Sequence, residues 1–234
     1  MTALEELKRL NNISMNKNQT QWEQNDTEAI KISSLNCRSL KKHHPDIITD
    51  ELILKSDLIA LPETWLDTDE MQEDPIIPRY EVAINSKGKG KGIITYYNSN
   101  IFKHISDLKK DNMQLSKFSS ANLDVIVLYR SALGNKKEMN QLIKQLKNRN
   151  VPQLVIGDFN FHYLEEEANS TKKFFIEENY SQLIMKPTHI EGNILDQAYV
   201  KDETGLLRCT AEIQTKYYTD HRGIVVTVEY GEKI

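Results

Sequence analysis

Cysteine and long apolar runs are both scarce in this chain, and each shortage excludes a class of protein. Two of the 234 residues are cysteine, which rules out a framework of disulfides and predicts that Cys37 and Cys209 are reduced thiols. No apolar run approaches the roughly 18 residues that a membrane-spanning helix needs. The N-terminus lacks the uninterrupted apolar segment of a secretory signal, so an intracellular location is predicted.

The chain also lacks an excess of positive charge. Its formal net charge is -4, which argues against a uniformly basic coat that binds nucleic acid. Basic residues occur instead in small scattered clusters, which are either local phosphate contacts or ordinary solvated lysines. These clusters are Lys41-Lys42, the Lys87/Lys89/Lys91 set, Lys109-Lys110, Lys136-Lys137 and Lys172-Lys173.

The first 29 residues differ in pattern from the rest. Thr2 and Glu5 have the spacing of a capping box, which predicts a short helix over residues 2–11. Residues 12–29 are polar, rich in Asn and Gln, and aperiodic, as in a linker. The remaining residues, 30–234, are long enough for one well-filled domain.

Apolar runs of strand length recur through this domain, with helical patterns between them. The predicted strands are Ile30–Leu35, Asp57–Leu61, Gly92–Tyr97, Val125–Tyr129, Gln153–Ile156, Leu195–Val200, Cys209–Thr215 and Gly223–Tyr230. The predicted helices are His44–Lys55, Lys136–Arg149 and Ser170–Asn179. Strands and helices in these numbers indicate an α/β sandwich, in which two sheets pack face to face and the helices lie outside.

The Gly/Lys-rich run Lys87–Gly92 does not match a phosphate-binding loop. No Gly stands five residues before either Gly-Lys pair, no Ser or Thr follows, and the run leads into a strand instead of a helix. It therefore predicts a flexible loop, with contact to substrate as an optional second role.

The tetrapeptide Gly157-Asp158-Phe159-Asn160 follows a buried apolar run and carries two reactive-type side chains. Asp158 and Asn160 are two residues apart, so on an extended backbone both project to the same face. An ordinary turn is the alternative interpretation. The pair becomes informative through the polar residues that flank the other apolar runs.

Those polar residues are Asn36, Glu63, Tyr129-Arg130, Asp196 and Asp220-His221. Each of them alone is typical of a turn or a cap. Together they form the set that phosphodiester hydrolysis requires: carboxylates, carboxamides, an imidazole and a phenol, all at the ends of apolar runs.

The order of these motifs resembles that of the Mg²⁺-dependent endonuclease/exonuclease/phosphatase superfamily, which includes DNase I and the apurinic/apyrimidinic endonucleases. The resemblance covers roughly residues 31–230 and rests on Leu35-Asn36, Leu61-Pro62-Glu63-Thr64-Trp65, Tyr129-Arg130, Gly157-Asp158-Phe159-Asn160, Leu195-Asp196 and Thr219-Asp220-His221. It implies a four-layer DNase I-like sandwich with two mostly antiparallel sheets. The stretches Leu-Asn-Cys-Arg-Ser-Leu and Glu-Thr-Trp-Leu, and the Gly/Lys loop, are most similar to endonuclease domains of non-LTR retrotransposons and related mobile elements.

Glu63 and Asn36 are the predicted metal ligands, because Mg²⁺ is held by one or two carboxylates and other hard oxygen donors. Mn²⁺ is the alternative ion. The resemblance adds Asp220 to this ligand set and places the phenol of Tyr129 near the phosphate. Arg130 follows Tyr129, and strand alternation points it to the opposite face as a structural residue.

Four side chains are predicted to handle water and phosphate. Asp158 is the candidate general base or water-orienting carboxylate. Asn160 would hold the phosphate or the water without adding charge. His221 would donate to a phosphate oxygen, with Asp196 fixing its ring.

The sequence therefore predicts an Mg²⁺-dependent endonuclease that nicks DNA, of mobile-element type. A phosphatase or phosphodiesterase of the same superfamily, acting on phospholipid or RNA, is the alternative, and an inactive nucleic-acid-binding fragment is a third. The expected partner is the DNA backbone, in the nucleus and away from membranes. The chain is expected to be a monomer or part of a larger mobile-element polyprotein. The stretch between Asn160 and Asp196 is short, which predicts trimmed DNA-gripping loops.

Overall fold

The computed structural model describes residues 29–66, 76–85, 91–147 and 151–231. The helix predicted over residues 2–11 lies outside the described residues, as do most of the predicted linker and most of the Gly/Lys-rich loop. No helix within the four described ranges is long and apolar enough to cross a membrane.

Twelve strands occur in the described part of the chain. They are β1 (Ile30–Ser34), β2 (Leu58–Pro62), β3 (Glu81–Asn85), β4 (Ile93–Tyr97), β5 (Lys103–Lys110), β6 (Met113–Ser119), β7 (Asp124–Arg130), β8 (Gln153–Asp158), β9 (Ser181–Gln182), β10 (Asp196–Lys201), β11 (Leu207–Gln214) and β12 (Gly223–Tyr230). Sheet A has the order β11-β12-β1-β2-β4-β3, and sheet B has the order β5-β6-β7-β8-β10-β9.

Each sheet is antiparallel except for one parallel pair, β1 with β2 in sheet A and β7 with β8 in sheet B. The carboxyl ends of each parallel pair share one edge of their sheet. β12 runs antiparallel to β1, and β10 runs antiparallel to β8. The first residues of β12 and β10 therefore lie at the same edges as the last residues of the parallel pairs.

The helices are α1 (Leu40–Ile47), α2 (Lys136–Leu146) and α3 (Asn169–Glu177), with a 3₁₀ turn at Glu166–Ala168. A buried apolar layer fills the space between the two sheets. Leu40 and Ile47 of α1 pack with the outer face of sheet A. Helices α2 and α3 pack with the outer face of sheet B. The predicted four-layer α/β sandwich is therefore confirmed.

The first helix differs from its prediction of His44–Lys55, because it begins at Leu40 and ends at Ile47. Its N-terminus is capped by the hydroxyl of Ser39, which accepts from the backbone N–H of Lys42. Beyond Ile47 the side chain of Asp50 accepts from the next backbone amides, which favours turns over a continued helix.

Strands β3, β5, β6 and the two-residue β9 were not predicted. β5 is an edge strand, and its sequence Lys-His-Ile-Ser-Asp-Leu-Lys-Lys is half-exposed and charged. β6 is buried yet carries Gln114, Ser116 and Lys117, so it lacks a clear apolar alternation. These segments form strands because they pair with neighbouring strands of the sheet, although their own sequences lack a strand pattern.

Candidate active site

Six predicted site residues lie at one end of the sandwich, three from each sheet. Asn36 follows β1, Glu63 follows β2 and His221 precedes β12 in sheet A, whereas Tyr129, Asp158 and Asp196 belong to β7, β8 and β10 of sheet B. Tyr129 is opposite Asp158, and Asp158 is opposite Asp196, across three adjacent strands.

Three side-chain hydrogen bonds join the sheets here. Asn36 Nδ2 donates to Asp158 Oδ2 at 2.8 Å, Tyr129 Oη donates to Glu63 Oε1 at 3.2 Å, and His221 Nδ1 lies 2.8 Å from Asp196 Oδ2. Each bond pairs one residue of sheet A with one of sheet B, so the site exists only while the two sheets are docked.

Asp158 is fully buried and accepts hydrogen bonds at both oxygens, from Asn36 Nδ2 and from the backbone N–H of Asn160 at 2.8 Å. Burial raises the pKa of Asp158 to about 8, and the negative charges of Asp196 and Glu63 add to the rise. The His221 charge and the Asn36 bond oppose that rise without cancelling it. A carboxyl group with this pKa can exchange a proton near neutral pH.

The backbone around Asp158 explains why glycine precedes it. Gly157 has a φ of +146°, and a Cβ there would lie 1.9 Å from the carbonyl oxygen of Leu128 on the neighbouring strand. Strand β8 runs on to Asp158, two residues further than predicted, and then breaks at Asn160, whose φ is +51°. The expectation that Asp158 and Asn160 share one face of an extended strand is therefore wrong in its geometry, because an Asx-type turn links them instead.

Arg130 is buried and supports this turn from behind. Its Nε donates to Phe159 O at 2.7 Å and its Nη2 donates to Asn160 O at 3.0 Å. Nη1 donates to the carbonyls of Ser131, Ala132 and Gly134. Arg130 thus has the structural position predicted from strand alternation.

His221 is held by carboxylates. Burial lowers its pKa, but the bonded carboxylate of Asp196 and the charges of Asp158 and Asp220 outweigh burial and raise the pKa to about 9. Asp196 is itself placed by Thr188, whose hydroxyl accepts from the Asp196 backbone N–H at 2.9 Å. The imidazole is therefore a cationic donor near neutral pH.

Glu63 and Tyr129 form the second bridge. Glu63 has a φ of +56°, and its carbonyl accepts from the backbone N–H of Ser39 at 2.9 Å. Burial and the charges of Glu63 and Asp158 raise the pKa of Tyr129 well above its ordinary value, so the phenol remains a hydrogen-bond donor. Cys37 lies buried beneath this bridge as a free thiol, as the low cysteine count predicted, and Cys209 is also free.

Asp220 precedes His221 and has partners of its own. Its Oδ2 contacts the guanidinium of Arg38 and lies 3.3 Å from His189 Nε2. Burial alone would raise the pKa of Asp220. The charges of His221 and Arg38 lower it by a larger amount, so the pKa lies below its ordinary value. Neither Arg38 nor His189 was selected from the sequence. Arg38 lies within the Leu-Asn-Cys-Arg-Ser-Leu stretch, whereas nothing local to His189 distinguishes it.

Strained backbone surrounds the site. Eight non-glycine residues in the described chain have positive φ, and five of them flank the site: Arg38, Ser39, Glu63, Trp65 and Asn160. Such conformations cost about 1–3 kcal/mol each and persist where the surrounding structure enforces them.

The donor set fits a divalent cation. Oδ1 of Asp196 and Oδ1 of Asp220 are buried, and neither has a hydrogen-bond partner among the described residues. The ligand atoms of Asp158, Asp196 and His221 lie within 4.8 Å of one another, and so do those of His189, Asp220 and His221. Neither group includes Glu63, which faces Tyr129 at the neighbouring bridge. The carboxylate oxygens of these groups are hard donors that suit Mg²⁺ or Mn²⁺, whereas His221, as a cationic imidazole, has no lone pair for the ion.

Comparisons with known proteins agree with this geometry. A sequence model described as the Endonuclease/Exonuclease/phosphatase family matches residues 33–221, a range that holds all the predicted site residues. None of the curated proteins compared by sequence matches the chain.

Several solved structures share the fold. The endonuclease domain of TRAS1, a telomere-specific non-LTR retrotransposon, is 12% identical with a TM-score of 0.68, covering 87% of this chain and 100% of that one. An AP endonuclease from Archaeoglobus fulgidus is 15% identical with a TM-score of 0.67, covering 84% and 98%. The human Nocturnin catalytic domain is 15% identical with a TM-score of 0.66, covering 86% and 93%. Identities this low establish a shared architecture and leave the substrate open.

Proposed function

The chain belongs to the endonuclease/exonuclease/phosphatase family, and from that membership we propose that it is an Mg²⁺-dependent endonuclease that nicks DNA. The family is one of metal-dependent phosphodiesterases and nucleases. The proposal adds the metal, the substrate and the mode of cleavage, and it assigns each site residue a role.

One observation carries the proposal. Asp158, a buried carboxyl group with a pKa of about 8, is held between Asn36 and the Asn160 backbone, beside the Asp196–His221 pair. An acceptor and a cationic donor are thereby fixed side by side at one end of the sandwich. Attack of water on a phosphodiester needs this combination, because the water loses a proton while negative charge grows on the phosphate.

Asp158 orients the attacking water and accepts its proton. Both of its oxygens already accept one hydrogen bond, so its orientation is fixed and a remaining lone pair is available to the water. Such general-base catalysis contributes about 10²- to 10⁴-fold in rate. The side chain of Asn160, which is only partly buried, holds the phosphate or the water.

His221 donates to a non-bridging phosphate oxygen through Nε2, because its Nδ1 is engaged by Asp196. Tyr129 places its phenol near the phosphate and donates its one proton to Glu63, so it also holds that carboxylate in position. His221 and Tyr129 lie on separate bridges between the sheets, at the same end of the sandwich.

Glu63 and Asn36 would hold the metal ion, and Asp220 would contribute its unpartnered Oδ1. A bound divalent cation supplies positive charge that neutralises the phosphate and favours the ionised forms of the neighbouring acids.

DNA of the kind cut by mobile elements is the proposed substrate. Support comes from the likeness to the TRAS1 endonuclease domain and from the Leu-Asn-Cys-Arg-Ser-Leu and Glu-Thr-Trp-Leu stretches. A nuclear location and a polyprotein context belong to the same proposal.

Supercoiled plasmid tests the function directly. Incubation with the protein and Mg²⁺ is expected to yield nicked circles, whereas addition of EDTA or substitution Asp158→Ala abolishes them. The proposal fails if the wild type gives no Mg²⁺-dependent nicking or if the alanine variant nicks equally well. Release of phosphate or headgroup from a phospholipid panel in parallel would replace the DNA assignment with the lipid one.

A further inference from the structure

We propose that His189 is a positioning residue that sets the orientation of Asp220 and His221. This inference rests on the proposed function for its kinetic consequence. The contacts from which it is drawn are independent of the substrate.

The tautomer of His189 follows from its surroundings. Its Nδ1 accepts from the backbone N–H of Glu191 at 3.3 Å, so the ring proton of the neutral imidazole lies on Nε2. Nε2 is 3.3 Å from Asp220 Oδ2 and donates to it. The His189 side chain is 12% exposed, so it acts from behind the pocket rather than on the substrate.

The same ring packs against His221. The two ring centroids are 4.9 Å apart with an interplanar angle of 75°, an edge-to-face arrangement. Such aromatic contacts restrict ring rotation and are worth about 0.5–1.5 kcal/mol. His221 is thereby held on two sides, by Asp196 at Nδ1 and by the His189 ring.

The backbone reinforces this position. His189 and His221 form an isolated antiparallel bridge, with Ile190 N donating to Asp220 O at 3.0 Å and Arg222 N donating to Thr188 O at 2.7 Å. This bridge joins the segment that leads into Asp196 to the segment that carries Asp220 and His221. His189 lies at the junction of the two.

Asp220 is consequently fixed through one oxygen. Arg38 and His189 both engage Oδ2, whereas Oδ1 has no partner among the described residues. Removing the His189 donor leaves Oδ2 to Arg38, whose side chain is 48% exposed, so the direction of Oδ1 is held less firmly.

Two substitutions separate the two contacts. His189→Phe keeps an aromatic edge against His221 and removes the donor to Asp220, whereas His189→Gln keeps an amide donor and removes the ring. We expect H189F to lower kcat for plasmid nicking by about 10- to 100-fold with KM changed less than about threefold. H189Q keeps a donor to Asp220 but leaves one side of His221 without a ring contact, so we expect it to lower kcat by about 3- to 10-fold.

His104→Phe is the matched control. His104 is on strand β5, and its Nε2 lies 3.0 Å from Asp107 Oδ1. Its ring packs against that of Phe118 on strand β6, with centroids 5.1 Å apart. His104 therefore has the same two kinds of contact outside the site. H104F is expected to nick at the wild-type rate. Unfolding midpoints of all three variants are measured beside the kinetics.

A second readout uses the metal-free protein without substrate. The imidazole nitrogen signals of His221 in ¹H–¹⁵N correlation spectra, assigned by their loss in His221→Ala, are expected to shift in H189F and to stay in place in H104F. If the wild type fails to nick, the proposed function falls, and these spectra still decide the role of His189.

The inference is overturned if H189F nicks within about twofold of wild type or leaves the His221 signals unmoved. It is also overturned if H189F and H189Q lose activity equally and in step with a lowered unfolding midpoint, because that result assigns His189 a structural role alone.

Discussion

Asn36 and Asp158 are separated by 122 residues in sequence, and their side chains form a buried hydrogen bond of 2.8 Å between the two sheets. The acceptor is the carboxyl group of Asp158, whose pKa is raised by burial. Removing the amide would leave that carboxyl with one donor in place of two.

Asn36→Ala should therefore weaken both the fold and the reaction. Hydrogen bonds to charged groups contribute about 1.5–3 kcal/mol, so we expect a loss of that size in unfolding free energy at alkaline pH. The loss should shrink at acid pH, where Asp158 is protonated. Urea titrations at the two pH values measure it, and an equal loss at both would contradict the assigned ionisation.

Stability should decline as pH rises across the neutral range. Asp158 binds its proton more tightly in the folded state, up to about pH 8, and His221 does so up to about pH 9. Stability from each group is complete below its ordinary pKa and is lost as pH rises through the folded value. Asp158→Asn should flatten this decline in thermal unfolding of the metal-free protein, and a variant that declines as steeply as the wild type would refute the shift.

Gly157→Ala should disrupt the pairing of β7 with β8. The added methyl would lie 1.9 Å from Leu128 O on a backbone with positive φ, so we expect a loss above about 3 kcal/mol. Gly205→Ala is the control, because Gly205 also has positive φ but faces open space. We expect Gly205→Ala to lower the unfolding free energy by about 1 kcal/mol. Equal losses in the two variants would show that the contact with Leu128 O does not contribute to the cost.

Lys216→Met should loosen the segment that carries Asp220 and His221. Lys216 Nζ lies 2.6 Å from Asp50 Oδ2, and both side chains are nearly buried. Breaking such a pair costs about 3–5 kcal/mol because one charge is left buried, whereas replacing both partners is far milder. Denaturant unfolding of K216M and of the double variant Asp50→Asn/Lys216→Met tests this, because Asn keeps the side-chain oxygen that accepts from the Leu52 and Ile53 amides. A double variant as unstable as the single one would exclude the explanation.

Glu178→Gln should cost stability at neutral pH and little in strong acid. Lys147 and Lys144 lower the pKa of Glu178 to about 2, so its stabilisation is present above the ordinary carboxyl value and is lost as pH falls towards about 2. The expected loss at neutral pH is up to about 1 kcal/mol per ion pair. Glu177→Gln, an exposed neighbour 3.8 Å from Lys173, serves as the control and should change stability very little.

The sequence predicted the strands that line the site better than those at the periphery. β2, β7 and β8 carry near-continuous apolar runs because both of their faces are covered. β5 lies at an edge and is charged, so its pattern resembles that of a surface loop. A strand that is buried on both faces has a continuous apolar run that the sequence reveals, whereas an edge strand has no such pattern.

The polar site residues were found because each flanks such an apolar run. His189 does not share this context. It lies in a turn that includes Gly192, and its relation to His221 arises when two distant segments pair. Arg38 is a similar case, because its partner Asp220 is 182 residues away. A single sequence gives no local signal for contacts of this kind.

The order of strands in sheet A has a consequence for assembly of the site. β12, the last strand of the described chain, inserts between β1 and β11, and His221 immediately precedes it. Until Ile30–Ser34 pairs with residues 224–228, His221 is not held at the edge that carries Asn36 and Asp158. The site therefore forms only when two strands from opposite ends of the described chain come together, and a partly folded state in which they are apart has no catalytic arrangement.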